Sequence, residues 1–186
     1  MFTSFRNTLV LALAGLITSV ACAQQAPYAL RHGDTLVVSV WKEENLQREV
    51  RVLPDGSITF PLAGRVEVAG LSASEIEKQI TNKLKAYIPD AVVSIVVTSI
   101  EGNRVYVIGK VPKPGPIVLT SPDTTVLQAL SMAGGLDKFA DSASIRVLRE
   151  TREGTELLPV NYDKLIKGDN LKSNTRLKAG DTILVP

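Results

Sequence analysis

The pattern of apolar and polar positions divides the chain into a leader and a body of short alternating segments. Residues 9–20 form an almost unbroken apolar run. Beyond it, apolar residues recur at every second position, which is typical of strands, or every third and fourth, which indicates helices. The pattern predicts strands at 35–41, 65–68, 91–100, 104–108, 117–119, 145–149, 156–160 and 182–185. The polar stretch 42–47 is interpreted as a loop or short helical turn, and 91–100, apolar on both faces, as a strand central in its sheet.

Two segments carry signals for the start of a helix. Ser72 and Glu75 form an S-x-x-E capping box, in which each side chain satisfies a free backbone N–H. The box and an apolar residue every fourth position predict a helix over residues 71–88. A Thr-x-x-Gln pair predicts a second helix over residues 124–133.

Turn residues separate the strands. The Leu-Pro-Asp-Gly stretch at 53–56 lies between two short alternating runs and predicts a β-hairpin over residues 48–60. A second hairpin is predicted around residues 151–154. Gly-Asp-Thr precedes a β-branched strand twice, at residues 33–35 and 180–182, an echo too short to indicate a repeat. Each half therefore mixes short strands with one amphipathic helix, so the predicted fold class is α+β.

The leader has the features of a signal peptide spanning residues 1–23. Arg6 precedes the apolar run, and Ala21-Cys22-Ala23 fits a signal-peptidase site, with cleavage between Ala23 and Gln24. Cys22, the only cysteine, gives the alternative of a lipidated residue, although Ser19 stands where a lipoprotein signal usually carries Leu. Cleavage after Ala23 would remove the only thiol, and with it any disulfide.

Composition excludes several classes of function. The 21 basic and 19 acidic residues are nearly balanced, so charge gives no indication of a nucleic-acid partner. His32 is the only histidine, which excludes a His-based triad and a multi-histidine metal site. The phosphate-cradling glycine motifs are absent. We therefore predict no catalytic, cofactor-binding or metal-binding residue.

The remaining acidic and aromatic candidates have ordinary structural explanations. Four aspartates lie in predicted turns, where Asp usually bonds its own backbone: Asp34, Asp55, Asp90 and Asp181. Glu75 has its capping role, so the two free carboxylates that a glycosidase needs are not indicated. Trp41 and Tyr106 are candidates for stacking on sugars, but their strand positions favour packing in a core or an interface.

Five stretches, taken together and in order, resemble the bacterial polysaccharide export proteins. They are residues 28–34 (YALRHGD), 52–61 (VLPDGSITFP), 64–71 (GRVEVAGL), 105–115 (VYVIGKVPKPG) and 125–135 (TVLQALSMAGG). The resemblance implies a polysaccharide-export domain at residues 24–101 and a soluble-ligand-binding β-grasp (SLBB) domain at 102–186. The residues that match the family motifs are interpreted as markers of the fold and not as ligand contacts. They are Gly33, Asp34, Pro54, Asp55, Gly56, Pro61, Gly64, Gly70 and Leu71 in the first domain, and Gly109, Val111, Pro114, Gly115, Ala133, Gly134 and Gly135 in the second.

The resemblance also implies a function. The chain is expected to be an exported, non-enzymatic, ring-forming homo-oligomer of a translocon in the periplasm and at the outer membrane. It would pass capsular or exopolysaccharide out of the cell together with an inner-membrane chain-length regulator. Because Pro186 directly follows a strand, where many members carry a membrane-crossing amphipathic helix, we expect a separate outer-membrane barrel. The alternatives are a soluble periplasmic glycan-binding module that forms no channel and, against the residue inventory, a polymer-trimming enzyme.

Overall fold

The structure is a computed structural model that describes residues 27–186. The expected cleavage between Ala23 and Gln24 and the alternative lipidation of Cys22 lie outside the described residues. The described part contains two separate hydrophobic cores, one between Leu30 and Ile95 and the other between Val105 and Val185.

The first core is enclosed by five strands and one helix. They are β1 (Thr35–Val40), β2 (Glu43–Arg51), β3 (Ser57–Phe60), β4 (Gly64–Glu67), α1 (Ala73–Leu84) and β5 (Val93–Ser99). The sheet order is β2-β1-β5, and both pairings are antiparallel. Strands β3 and β4 form a separate antiparallel hairpin. Strand β1 is therefore the central strand of the larger sheet.

The second core lies under a five-stranded mixed sheet. Its elements are β6 (Arg104–Gly109), β7 (Gly115–Val118), α2 (Val126–Met132), β8 (Ile145–Thr151), β9 (Gly154–Val160), α3 (Tyr162–Lys167), a 3-10 turn (Leu171–Ser173) and β10 (Thr182–Val185). The order is β7-β6-β10-β8-β9, in which β10 runs parallel to β6 and every other pair is antiparallel. This is the expected α+β class, with the sheet of the second half folded over α2.

Local signals predicted the helices α1 and α2, because caps and apolar stripes depend on nearby residues. In α1 the backbone N–H of Ser72 donates to the Glu75 carboxylate at 2.8 Å, and the predicted capping box forms. The prediction of helix as far as residue 88 was wrong by one turn. The N–H groups of Tyr87 and Ile88 both bond to the carbonyl of Leu84, where the helix ends in a tight turn.

The predicted hairpin over residues 48–60 was also wrong, although its turn exists. The Gly56 N–H donates to the Leu53 carbonyl at 2.9 Å, but the flanking strands β2 and β3 belong to different sheets. Strand β2 pairs instead with β1, and it includes residues 43–47, which were predicted to be a loop or short helical turn. Its polar composition is explained by its position at the sheet edge, where backbone pairing holds a strand that buries little of its surface.

Strand β5 is not central as predicted but lies at the edge of its sheet. Its outward-facing side chains remain exposed, with Val92 just before the strand at 58% and Val96 at 61%. Within residues 27–186 no strand pairs with its outer side. The backbone N–H of Ile95 donates instead to the Glu77 carboxylate at 2.9 Å, so a side chain of α1 satisfies this edge donor.

The two candidate stacking aromatics are not in either core. Trp41 lies in the turn between β1 and β2 and is 72% exposed, and Tyr106 is 43% exposed on β6. Core packing was therefore the wrong expectation for both residues, and packing in an interface remains a prediction.

Candidate functional site

Two turns with the same sequence pattern, L-x-x-G-D-T, lie at the junction between the two cores. They span residues 30–35 and 177–182. The leucine of each is buried in the core of its own half. The threonine of each begins the next strand, β1 in the first half and β10 in the second. Both turns therefore lead directly into a strand in the interior of their sheet.

The backbone geometry of the two turns is the same. Gly33 has φ +89° and Gly180 has φ +92°, a region that glycine adopts without steric cost. The Gly33 N–H donates to the Val52 carbonyl at 2.9 Å, and the Asp34 carbonyl accepts from the Val52 N–H at 2.8 Å. Gly180 and Asp181 make the corresponding two bonds, at 2.8 and 2.9 Å, with β6. The echo that seemed too short to indicate a repeat is thus a repeated structural unit.

The carboxylate of Asp34 joins the first turn to the linker between the cores. One oxygen accepts from the backbone N–H of Arg31 at 2.8 Å and from the hydroxyl of Tyr28 at 2.7 Å. The other oxygen accepts from the backbone N–H of Gly102 at 2.8 Å. Burial, and then the hydrogen bond to Asp34, raise the pKa of Tyr28, so its hydroxyl remains a donor at neutral pH.

Gly102 allows the linker to approach the first turn closely. A Cβ at this position would lie 2.7 Å from the Cβ of Arg31 and would overlap the backbone carbonyl of His32. Any side chain here would therefore push the linker away from the Asp34 carboxylate. His32 itself is exposed, as expected, and its Nδ1 lies 3.2 Å from the Leu53 carbonyl.

The carboxylate of Asp181 has a different set of partners. It accepts from the backbone N–H of Lys178 at 2.8 Å, which matches the bond between Arg31 and Asp34. Its two oxygens also accept from Nε and Nη2 of Arg149 at 2.9 and 2.6 Å, a bidentate ion pair that is almost completely buried. The side-chain hydrogen bonds to Asp181 raise the pKa of Arg149 further. The second turn is therefore bound to β8 of its own sheet.

Five of the family-motif residues in the first half converge near its turn. They are Gly33, Asp34, Gly56, Gly70 and Leu71. Leu30 bonds through its carbonyl to the Gly70 N–H at 2.8 Å and through its N–H to the Leu71 carbonyl at 2.9 Å. A Cβ on Gly56 would lie 3.4 Å from the His32 ring. Pro54 and Asp55 lie in the turn after β2, Pro61 begins the β3–β4 turn, and Gly64 is the first residue of β4.

The motif residues of the second half meet at the other end of β6, away from the junction. They are Gly109, Val111, Pro114, Gly115, Ala133, Gly134 and Gly135. The Lys113 N–H donates to the Ala133 carbonyl at 2.9 Å, and a Cβ on Gly134 would lie 3.2 Å from Pro112. The proline-stiffened turn after β6 therefore packs on the end of α2.

The turn carboxylates do not form an acid–base pair. The hydrogen bonds from Ser57 lower the pKa of Asp55, and those from Ser72 lower the pKa of Glu75. A general acid needs a raised pKa. Asp34 and Asp181 are buried and occupied by the partners described above. Within residues 27–186 no group of three or more His, Cys, Asp or Glu side chains could hold a metal ion.

The junction contains a cleft of about 640 Å³ that both turns line. Arg31 of the first turn and Lys178 of the second occupy equivalent positions and face the same cleft, together with Tyr28 and Asn103. The role of these residues was not found from the sequence. The available signal was the Gly-Asp-Thr echo, which the buried leucine before it extends to L-x-x-G-D-T.

The fold and the junction define a class of two-domain α+β proteins in which a β-grasp domain follows a sheet-and-helix domain. Residues 23–98 match the family model described as polysaccharide biosynthesis/export protein, and residues 103–185 match the SLBB domain. The two matches follow each other in the order expected and together cover most of the chain. The chain belongs to the bacterial polysaccharide export family.

Named relatives agree with this assignment. The chain is 27% identical over 187 residues to the EPS I polysaccharide export outer membrane protein EpsA of Ralstonia nicotianae, covering 88% of this chain and 48% of that protein. It is 33% identical over 161 residues to the polysialic acid transport protein KpsD of Escherichia coli, covering 85% and 28%. The capsule polysaccharide export protein BexD of Haemophilus influenzae is 27% identical over 176 residues, covering 83% and 42%. The chain thus spans about half the length of these relatives or less.

Within residues 27–186 no helix is long and apolar enough to cross a membrane.

Proposed function

We propose that this protein is a non-enzymatic, ring-forming component of a translocon that passes capsular or exopolysaccharide out of the cell. The observation that carries the proposal is the succession of a polysaccharide-export domain and an SLBB domain along one chain. In this proposal the two domains comprise residues 24–101 and 102–186. In this proposal the motif residues, from Gly33 to Gly135, act through the fold, because they form turns and close backbone contacts.

The proposed location is the periplasm, in association with the outer membrane. The signal-peptide pattern of the leader and the names of the relatives support export. The proposed partners are further copies of this chain, an inner-membrane chain-length regulator, a separate outer-membrane barrel and the polysaccharide itself. Rings form when one surface of a subunit contacts a different surface of the next and the rotation closes.

Three measurements test the role, the assembly and the processing. Deleting the gene should abolish secretion of one surface polymer, and the full chain supplied in trans should restore it. Light scattering of the protein purified from the envelope in mild detergent should give a closed multi-subunit particle. Intact mass spectrometry should show chains beginning at Gln24, whereas an acylated Cys22 would contradict cleavage after Ala23. Normal secretion in the deletion strain would contradict the export role.

The cleft at the junction favours a second candidate, a periplasmic glycan-binding module that forms no channel. The cleft volume of about 640 Å³ lies within the range of small-ligand sites, roughly 300–1,000 Å³. Oligomeric state separates the two candidates. A monomer at high concentration that binds glycan supports the module, and a multi-subunit particle supports the ring.

A further inference from the structure

We propose that the junction cleft is a binding site for an acidic saccharide, whose carboxylate is held between Arg31 and Lys178. The site rests on the proposed export role, and it specifies the chemistry of the polymer segment that the protein would contact. Arg31 belongs to the first L-x-x-G-D-T turn and Lys178 to the second, so each domain supplies one of the two cations.

Backbone hydrogen bonds hold Arg31 and Lys178 in their turns, and their side chains take no part in these bonds. The N–H of Arg31 donates to Asp34, and the N–H of Lys178 donates to Asp181, both at 2.8 Å. The side chains are exposed and line the cleft. The backbone of each residue is therefore held at a defined place on the surface, while its charged group stays available to a ligand.

Neither cation is neutralised by an acidic side chain within residues 27–186. The ion pairs of this part of the chain are Arg65–Asp55, Arg104–Glu101, Arg149–Asp181 and Arg176–Asp123. No Asp or Glu is among the residues that line the cleft. Asp34 lies behind Tyr28 with its oxygens occupied by three donors. The residues that line the cleft thus carry two positive charges and no negative one, which favours an anion over a neutral ligand.

The remaining lining suits a sugar. Asn103, Thr120 and Ser121 provide amide and hydroxyl groups, which are hydrogen-bonding partners for sugar hydroxyls. Val97 and Ile100, both partly exposed, provide apolar surface on which the C–H face of a pyranose ring can pack. A guanidinium group binds a planar carboxylate through two parallel hydrogen bonds, and an ammonium group adds a point charge. A uronic or similar acidic sugar combines all three requirements.

The test is calorimetric titration of the protein, expressed as the full chain and purified from the envelope, with acidic tetrasaccharides. Tetragalacturonate and a β-linked tetraglucuronate should bind, and neutral maltotetraose should bind at least tenfold more weakly, about 1.4 kcal/mol. Arg31→Gln and Lys178→Gln should each weaken binding of the acidic sugars about tenfold. Both changes keep the backbone N–H groups that the aspartates need, so the variants should fold.

Matched controls use exposed cations away from the cleft. Arg48→Gln on β2 and Lys85→Gln after α1 should leave the affinity unchanged, and all four variants should unfold at the same temperature as the parent protein. Binding should weaken as the salt concentration rises, because exposed charges are screened. Failure of both acidic tetrasaccharides to bind, or equal binding by all four variants, overturns the proposal.

Two further probes distinguish other sources of negative charge. Hexaglutamate that binds as tightly as the sugars, and with the same sensitivity to Arg31→Gln, would assign the cleft to an acidic peptide and overturn the saccharide assignment. Inorganic phosphate that displaces the tetrasaccharides at equal concentration would assign it to a simple anion. The experiments distinguish a wrong assignment of the binding site from a wrong assignment of the export role. Gene deletion tests export alone, whereas titration tests binding in the purified protein.

Discussion

The two L-x-x-G-D-T turns have the same backbone but bind different parts of the molecule. In the first, Asp34 accepts from the linker residue Gly102 and from Tyr28, and so connects the two domains. In the second, Asp181 accepts from Arg149 and so connects strands of one sheet. Sequence close to the turn sets the glycine conformation and the bond to the residue three positions earlier. The tertiary surroundings decide what fills the remaining acceptor sites of the carboxylate.

The largest effect is expected from removing the buried anion of the second turn. Asp181→Ala should lower the free energy of unfolding by about 3–5 kcal/mol, because it leaves Arg149 as an uncompensated charge that is only 12% exposed. Urea unfolding measures the change. Adding Arg149→Met to Asp181→Ala should recover part of the loss, since the unpaired charge is then gone. If the double variant is no more stable than Asp181→Ala alone, the unpaired charge of Arg149 is not the cause of the lost stability.

The corresponding change in the first turn is expected to be somewhat smaller and to act on the linker. Asp34→Ala leaves three donors without their acceptor and should cost about 3 kcal/mol. Hydrogen exchange should show faster exchange of the Gly102 amide, with little change in β10. Asp55→Ala is the matched control in an exposed turn and should have a much smaller effect. Unchanged protection at Gly102 would argue against the domain-connecting role.

Glycine substitutions separate steric contact from backbone conformation. Gly102→Ala should cost about 2 kcal/mol, because its Cβ would overlap the His32 carbonyl. Gly180→Ala faces open space, so only its φ of +92° opposes a side chain, and about 1 kcal/mol is expected. Thermal unfolding compares the two variants. The reverse order of stability would contradict the close approach of the linker.

The smallest effect on stability is expected from removing the Tyr28 hydroxyl, which bonds to the first turn and has no counterpart in the second. Tyr28→Phe removes one hydrogen bond to Asp34 and should cost about 1 kcal/mol at neutral pH. Because the pKa of Tyr28 is raised on folding, its contribution is complete below the ordinary pKa of 10.0 and is lost as the pH rises further. The stability difference between the parent protein and Tyr28→Phe should therefore shrink in alkaline solution. A difference that grows with pH would contradict the assignment.

Sequence reasoning succeeded where the signal was local. The capping boxes at Ser72 and Thr125 placed both helices, because each box needs only neighbouring residues. It failed where pairing was distant. Strand β1 pairs with β5, and nothing near residues 91–100 indicates that this apolar strand lies at an edge. Residues 43–47 of β2 were predicted to be a loop or short helical turn because only Leu46 and Val50 of this strand pack partly against the core.

The candidate site shows the same difference between local contacts, which were predicted, and distant contacts, which were not. The sequence placed Asp34 and Asp181 in turns that bond their own backbone, and the structure has both bonds. The linker contact to Asp34 spans 68 positions, and the Arg149 contact to Asp181 spans 32. Contacts of this range depend on the packing of whole domains. They could not be derived from the spacing of residues in one chain.

The interior position of β10 has a consequence for the order of folding. The strand inserts between β6 and β8, yet it is the last strand of its domain to be made. Until it arrives, the second sheet exists only as two hairpins, β6–β7 and β8–β9, each with an unpaired edge. Pairing between segments so distant in the chain is slow, so completion of this domain comes late. During that interval the open edges are the part of the newly made chain most exposed to aggregation, to proteolysis and to chaperone binding.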